Sequence, residues 1–158
     1  MVSSSPQTYS VSDYVEWFGK NQLVLDPDFQ RGSVWTSTAR TFLIDTILKG
    51  FPIPQVFLRT RINTATKATV REIVDGQQRM RAILDFAADK LKLSGRSSEF
   101  HGMTYSSLPD EQKQAFLSYN ISTVQLINAQ NEDILEIFAR LNSYSVKVTP
   151  PELRHAKY

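Results

Sequence analysis

The stretch Thr69-Val70-Arg71-Glu72-Ile73-Val74-Asp75-Gly76-Gln77-Gln78-Arg79-Met80 passes from a β-branched, apolar run directly into an Asp-Gly turn. Beyond the turn, apolar residues recur at helical spacing, at Met80, Ile83, Leu84 and Ala87. This order predicts a strand, a tight turn and a helix. The start of a helix presents backbone N–H groups and the positive end of the helix dipole, which together attract anions. The stretch therefore predicts a phosphate site at residues 75–79.

Two side chains in this motif leave alternatives open. Arg79 falls in the first helical turn, where a cation opposes the helix dipole unless a negative group lies nearby. That group could be a bound phosphate or Asp75. Asp75 in turn could cap the helix, or it could bind Mg²⁺ beside a triphosphate, because hard cations take carboxylate and phosphate oxygens together.

The rest of the chain alternates helical and extended patterns. We expect helices over residues 12–19, 36–49, 77–91, 109–117 and 131–143, and strands over 22–25, 55–62, 68–74 and 119–127. The fold class predicted is α+β, a small mixed sheet with packed helices. Residues 1–10 are predicted to be a loose arm. Residues 1–158 read as a single domain, and the helix start at Pro150-Pro151 suggests the N-terminal part of a longer protein.

Composition excludes several classes of function. The chain contains no cysteine, so it has neither disulfides nor thiolate ligands or nucleophiles, and its two histidines lie far apart in sequence. The formal net charge of +2 is too small for a polycation that coats nucleic acid. No signal peptide, membrane-spanning run, Walker loop or hydrolase triad order is present. We expect a soluble, cytoplasmic protein.

Other polar residues are weaker candidates for a site. Gln30 and Arg31 lie in a loop shortly before Trp35, where Arg31 could clamp a polyanion or could pair with Asp26 or Asp28. Asn142 follows an apolar helical stripe and is most simply a C-terminal cap.

A cluster of basic residues surrounds the predicted hairpin, at Arg59, Arg61, Lys67 and Arg71. These side chains could follow a nucleic-acid backbone. The alternative is a solvated edge hairpin whose charges prevent strand aggregation. No aromatic residue lies between the charges to stack on bases, which favours the alternative.

Four motifs in one order resemble a known bacterial family. They are Phe29-Gln30-Arg31 with Val34-Trp35, Phe51-Pro52-Ile53-Pro54, Asp75-Gly76-Gln77-Gln78-Arg79, and Ile137-Phe138-Ala139-Arg140-Leu141-Asn142. The chain is similar, from about Val11 to Leu153, to the N-terminal half of GmrSD-type, modification-dependent restriction enzymes. The resemblance implies a fold like that of the ParB and sulfiredoxin superfamily.

The resemblance also implies a function for the motif residues. Gly76, Gln77 and Arg79 would hold the phosphates of a nucleoside triphosphate, with Arg31 as an auxiliary clamp. Asp75 would position Mg²⁺ or water, and Gln78 would orient the attacking water. The base could be that of ATP, GTP or CTP. In such relatives this activity regulates DNA cleavage by an HNH-type nuclease domain, which is absent here, so nuclease activity is not expected from this chain alone.

Three functional hypotheses follow. The first is a nucleotide-binding, hydrolysing or non-hydrolysing, regulatory domain of a phage-defence protein. The second is a module that binds or nicks DNA and senses modified bases. The third is a scaffold for protein contacts that carries a degenerate site.

Overall fold

This computed structural model describes residues 1–25, 34–95 and 99–146. The elements in chain order are β1 (Ser3–Ser10), α1 (Val11–Gly19), β2 (Leu23–Leu25), α2 (Ser37–Leu48), β3 (Val56–Ile62), β4 (Thr69–Asp75), α3 (Gln77–Ala87), a short 3-10 turn (Tyr105–Ser107), α4 (Asp110–Ser118), β5 (Asn120–Ile127) and α5 (Asn131–Val146). The predicted α+β class is confirmed: helices pack on a small mixed sheet.

Within the described ranges the sheet has five strands in the order β1-β5-β3-β4-β2. β3 and β4 form the predicted antiparallel hairpin, whereas β5 runs parallel to β3 and β2 runs parallel to β4. Because β2 and β4 are parallel neighbours, their carboxyl ends meet at one edge of the sheet, with Leu25 beside Ile73. The strand–helix turn at Gly76 therefore lies where β2 also ends.

The prediction of a loose arm at residues 1–10 is wrong. Ser3–Ser10 form an edge strand that pairs antiparallel with β5 along its whole length, from Ser3 opposite Ile127 to Ser10 opposite Asn120. Its polar sequence suits an outer edge, where one side faces water, and Pro6 is tolerated in an edge strand. The stabilising partner is more than a hundred residues away, so no local pattern indicates this strand.

Two helix ends also differ from the predictions. α3 ends at Ala87 rather than near residue 91, and Asp89 then takes a left-handed conformation with φ of 62°. α5 continues to Val146, so Asn142 lies inside the helix and is not its C-terminal cap. The predicted helix start at residues 150–158 lies outside the described residues.

The sheet separates two apolar clusters. The larger cluster lies between one face of the sheet and helices α1 to α4, and it contains Ile73 and Met80. The smaller cluster contains Val74 and Ile134, so α5 covers the opposite face. No helix in the described part of the chain combines the length and apolarity that a bilayer crossing requires.

Candidate functional site at the strand–helix turn

The turn between β4 and α3 is built on Gly76. This residue is the N-cap of α3 and has φ of 100° and ψ of 21°, a left-handed conformation that favours glycine. A glycine has no side chain, so the N-cap position supplies no side-chain acceptor to the first helical turn. A Cβ at this position would lie 3.0 Å from Arg79 Nη2 and 3.2 Å from Val56 Cγ2. The backbone conformation therefore favours glycine, and the two close neighbours leave little room for a Cβ.

The charged residues of the motif meet across this turn. Arg79 Nη2 lies 3.7 Å from Asp75 Oδ2, and the two side chains are 12% and 11% exposed. The same nitrogen donates a 2.7 Å hydrogen bond to the backbone carbonyl of Gln55. The structure thus brings Asp75 and Arg79 together, as a shared site requires, and Arg79 also holds the segment before β3.

The side chains of the two glutamines of the motif have different hydrogen-bond partners. Gln77 is buried, and its side chain donates to the carbonyl of Ile73 at 3.1 Å, which fixes the end of β4 to the start of α3. Gln78 Oε1 accepts a 3.3 Å hydrogen bond from the backbone N–H of Trp35. Its Nε2 is buried without a hydrogen-bond acceptor among the described residues. Gln77 therefore stabilises the turn, whereas Gln78 connects it to the chain before α2.

The segment that contains Gln30 and Arg31 lies outside the described residues, but both of its flanks reach the turn. On one side, Leu25 pairs beside Ile73, two residues before Asp75. On the other side, Trp35 donates to Gln78. Both flanks of this segment therefore lie at the carboxyl end of β4.

The described residues contain no cluster of three or more metal-ligating side chains of the His, Cys, Asp or Glu type. Asp75 is the residue for which the sequence predicts a role in binding Mg²⁺, and its carboxylate lies at the turn. Mg²⁺ commonly keeps waters and takes one or two carboxylates with substrate phosphates, so one aspartate fits a metal that arrives with a nucleotide.

The basic residues of the hairpin do not form one surface. Arg59 is buried, with 6% exposure, and its Nη2 lies 2.6 Å from Glu72 Oε2. Arg61 is exposed and contacts the other oxygen of Glu72 at 2.5 Å. Arg71 lies on the opposite face, with its guanidinium carbon 3.8 Å from the centroid of the Trp17 ring. Lys67 is exposed in the hairpin turn with φ of 63°.

The interpretation of this hairpin as a sheet edge is wrong, because β3 and β4 are both interior strands. Asn142 lies on α5, on the sheet face opposite α3. Sequence reasoning missed two contributors to the turn, the Gln55 carbonyl and the Trp35 N–H. Both are backbone groups, which every residue has, so no residue type could have indicated them.

Comparison with known proteins gives one match. The family model described as the GmrSD restriction endonuclease, N-terminal domain, matches residues 14–158. No curated protein and no solved structure matches the chain.

Proposed function

Since the chain belongs to the family of GmrSD restriction endonuclease N-terminal domains, we propose that it binds a nucleoside triphosphate with Mg²⁺ at the turn between β4 and α3. The nucleotide state would regulate DNA cleavage by an HNH-type nuclease domain in the full-length defence protein or in a partner chain. The observation that carries the proposal is the juxtaposition of Asp75 and Arg79, 3.7 Å apart beside the left-handed Gly76.

Each group at the turn has a role in the proposal. The backbone around Gly76 and Gln77 can approach a phosphate closely, because Gly76 carries no Cβ. Arg79 supplies a guanidinium that matches phosphate oxygens. Asp75 holds the Mg²⁺ that bridges phosphate oxygens. Gln78, whose buried Nε2 has no acceptor among the described residues, donates to a phosphate oxygen or orients water.

Arg31 remains a proposed auxiliary clamp. The described residues on either side of its segment, Leu25 and Trp35, lie at the turn. The Arg31 guanidinium would supply a second cation that matches phosphate oxygens.

The competing hypothesis of a DNA-binding hairpin has less support from the described contacts. Arg59 already forms a buried ion pair with Glu72, and the side chains of Arg61 and Arg71 point to opposite faces of the sheet. Of the four basic residues, Arg61 and Lys67 are exposed. A steep salt dependence of DNA affinity that Arg61→Ala and Lys67→Ala reduce would favour this hypothesis instead.

The test is calorimetric titration of the four ribonucleoside triphosphates in the presence of Mg²⁺. We expect saturable binding of at least one, and the preferred base identifies the nucleotide. Gln78→Glu should weaken binding about tenfold or more, because it places a negative charge beside the phosphates. The matched control is Arg81→Ala, which removes an exposed arginine two residues beyond Arg79 on α3.

Arg79→Ala should abolish binding, with thermal unfolding as the check that the variant is folded. Hydrolysis is then measured with and without DNA. Absence of binding to folded wild-type protein at millimolar triphosphate would overturn the proposal and bring DNA binding to first place.

A further inference from the structure

Residues 51–55, the connector between α2 and β3, are held at both ends by hydrogen bonds to backbone carbonyls. At the first end, the Tyr119 hydroxyl donates to the carbonyl of Phe51 at 2.6 Å. At the other end, Arg79 Nη2 donates to the carbonyl of Gln55 at 2.7 Å. Pro52 and Pro54 lie between these ends. Each proline fixes its own φ angle and lacks a backbone donor, so the connector is stiff, and its position is set by its two ends and by the packing of Ile53 against the core.

The connector is also held in its middle, where the Ile53 backbone hydrogen-bonds to the Tyr119 hydroxyl. The Phe51 N–H donates to the carbonyl of Thr46 at 3.1 Å, within the last turn of α2. The Gln55 side chain donates to Ser122 Oγ at 3.1 Å and is exposed to solvent. The charge-assisted bond from Arg79 is thus shorter than the side-chain bond from Gln55 to Ser122.

The Gln55 end of the connector, which Arg79 holds, is also the end that faces the proposed ligand. The guanidinium lies over Gly76, with Nη2 3.0 Å from the position where a Cβ would stand. Its partners include the neutral carbonyl of Gln55 and the Asp75 carboxylate, 3.7 Å away. The Gln55 carbonyl is a neutral acceptor, whereas a phosphate oxygen is an anion, so a phosphate at the turn attracts the guanidinium more strongly than the carbonyl does. A bound phosphate therefore competes with Gln55 for this nitrogen.

We propose that Arg79 is a ligand-sensitive latch: it holds the connector when the turn is empty and releases the Gln55 end when a polyphosphate occupies the turn. This inference rests on the proposed function and adds a moving element to it. Phe51 is 58% exposed, so displacement of the connector changes a surface that another domain or chain can contact.

The test is hydrogen exchange of the backbone amides of residues 51–58, followed by mass spectrometry. Wild-type protein is measured alone, with Mg²⁺ and a ribonucleoside triphosphate, and with inorganic tripolyphosphate. We expect either polyphosphate to raise the exchange rate about tenfold, the effect of losing one charge-assisted hydrogen bond. Arg79→Gln should show the raised rate before ligand is added, and Arg79→Lys should show an intermediate rate.

Tyr119→Phe is the matched control, because it frees the Phe51 end without altering the turn. It should raise exchange of the connector while leaving triphosphate affinity unchanged. Saturable binding to the wild type with unchanged or slower exchange at residues 51–58 would overturn the latch and leave the proposed function intact. Absence of any binding would overturn both, and unchanged exchange in Arg79→Gln would show that Arg79 does not hold the connector.

Discussion

The guanidinium of Arg59 and the carboxylate of Glu72 lie 2.6 Å apart, directly opposite each other on neighbouring interior strands. Arg59 Nη1 also donates to the carbonyl of Ala129 at 3.2 Å and to Asn131 Oδ1 at 3.0 Å, at the start of α5. One buried arginine therefore connects the sheet to the helix that covers this face. Its hydrogen bonds position α5, and they leave it unavailable to a nucleic-acid backbone.

Replacement of Arg59 by Met should destabilise the protein by about 3–5 kcal/mol, because the buried Glu72 carboxylate would lose its buried partner and keep only the exposed Arg61. Arg61→Met removes the exposed partner of the same carboxylate and should cost no more than about 1 kcal/mol. Urea denaturation followed by circular dichroism measures both. The double variant Arg59→Met/Glu72→Leu should recover much of the loss, since no unpaired charge remains buried. Equal, small effects of Arg59→Met and Arg61→Met would contradict this account.

Gly76→Ala should destabilise the protein by about 2–3 kcal/mol, because alanine is strained at φ of 100° and its Cβ meets Val56 and Arg79. Substitutions at two other glycines distinguish backbone strain from steric contact of the Cβ. Gly50→Ala carries the strain alone, with φ of 73° and open space around the Cβ, and should cost about 1 kcal/mol. Gly19→Ala has neither problem and should be close to neutral. Thermal unfolding of the three variants gives the order, and a cost at Gly76 no larger than at Gly50 would show that the contacts are relaxed without penalty.

The predictable part of the fold is the part encoded by local periodicity. The hairpin, the turn at Gly76 and the apolar stripe of α3 all follow from patterns within a few residues. The edge strand at residues 3–10 could not be predicted, because its Ser-rich sequence is polar and its partner β5 is distant in the chain. The strand order depends on such long-range pairings, so no local pattern in the sequence predicts the order.

The candidate site likewise contains some contacts that the sequence predicts and others that it does not. Asp75 and Arg79 are four residues apart at a helix start, so their proximity follows from the spacing. The Gln55 carbonyl and the Trp35 N–H reach the turn only because β3 and α2 pack beside it, which the motif does not encode. The burial of Arg59 was not predicted either, because an arginine on a hairpin is ordinarily exposed. Its partner Glu72 is indicated only by the register of β3 and β4.

Asp89 should make the stability of the domain sensitive to acid. Hydrogen bonds from the Ser106 hydroxyl, and then from the Ser106 backbone N–H at 2.8 Å, hold the pKa of Asp89 below its usual value. A carboxyl whose pKa is lower in the folded state adds stability above its unfolded pKa of about 3.9, and this contribution is lost as the pH falls through the folded pKa. Wild type should therefore be more stable than Asp89→Asn at neutral pH, and the two should converge in acid.

Thermal unfolding from pH 7 to about pH 2 measures the convergence of Asp89→Asn with wild type. Asparagine tolerates the left-handed backbone at this position, so the substitution removes the charge and one of the two acceptor oxygens without straining the backbone. Ser106→Ala removes the hydroxyl donor and should reduce the pH dependence in the same direction. A constant difference between wild type and Asp89→Asn across this range would show that the hydrogen bonds do not depend on the charge.

Asp75→Asn separates the metal from the phosphate in the proposed site. In the absence of Mg²⁺, the Asp75 carboxylate repels a triphosphate, so its neutralisation should strengthen binding several-fold. In the presence of Mg²⁺ the carboxylate is proposed to be a ligand of the metal, and the same substitution should weaken binding by about tenfold or more. Titrations with Mg²⁺ and with a chelator test both halves, with Asp85→Asn as a control further along α3. Weaker binding to the same degree under both conditions would assign Asp75 to the structure of the turn, where it faces Arg79, and would remove the metal from this site.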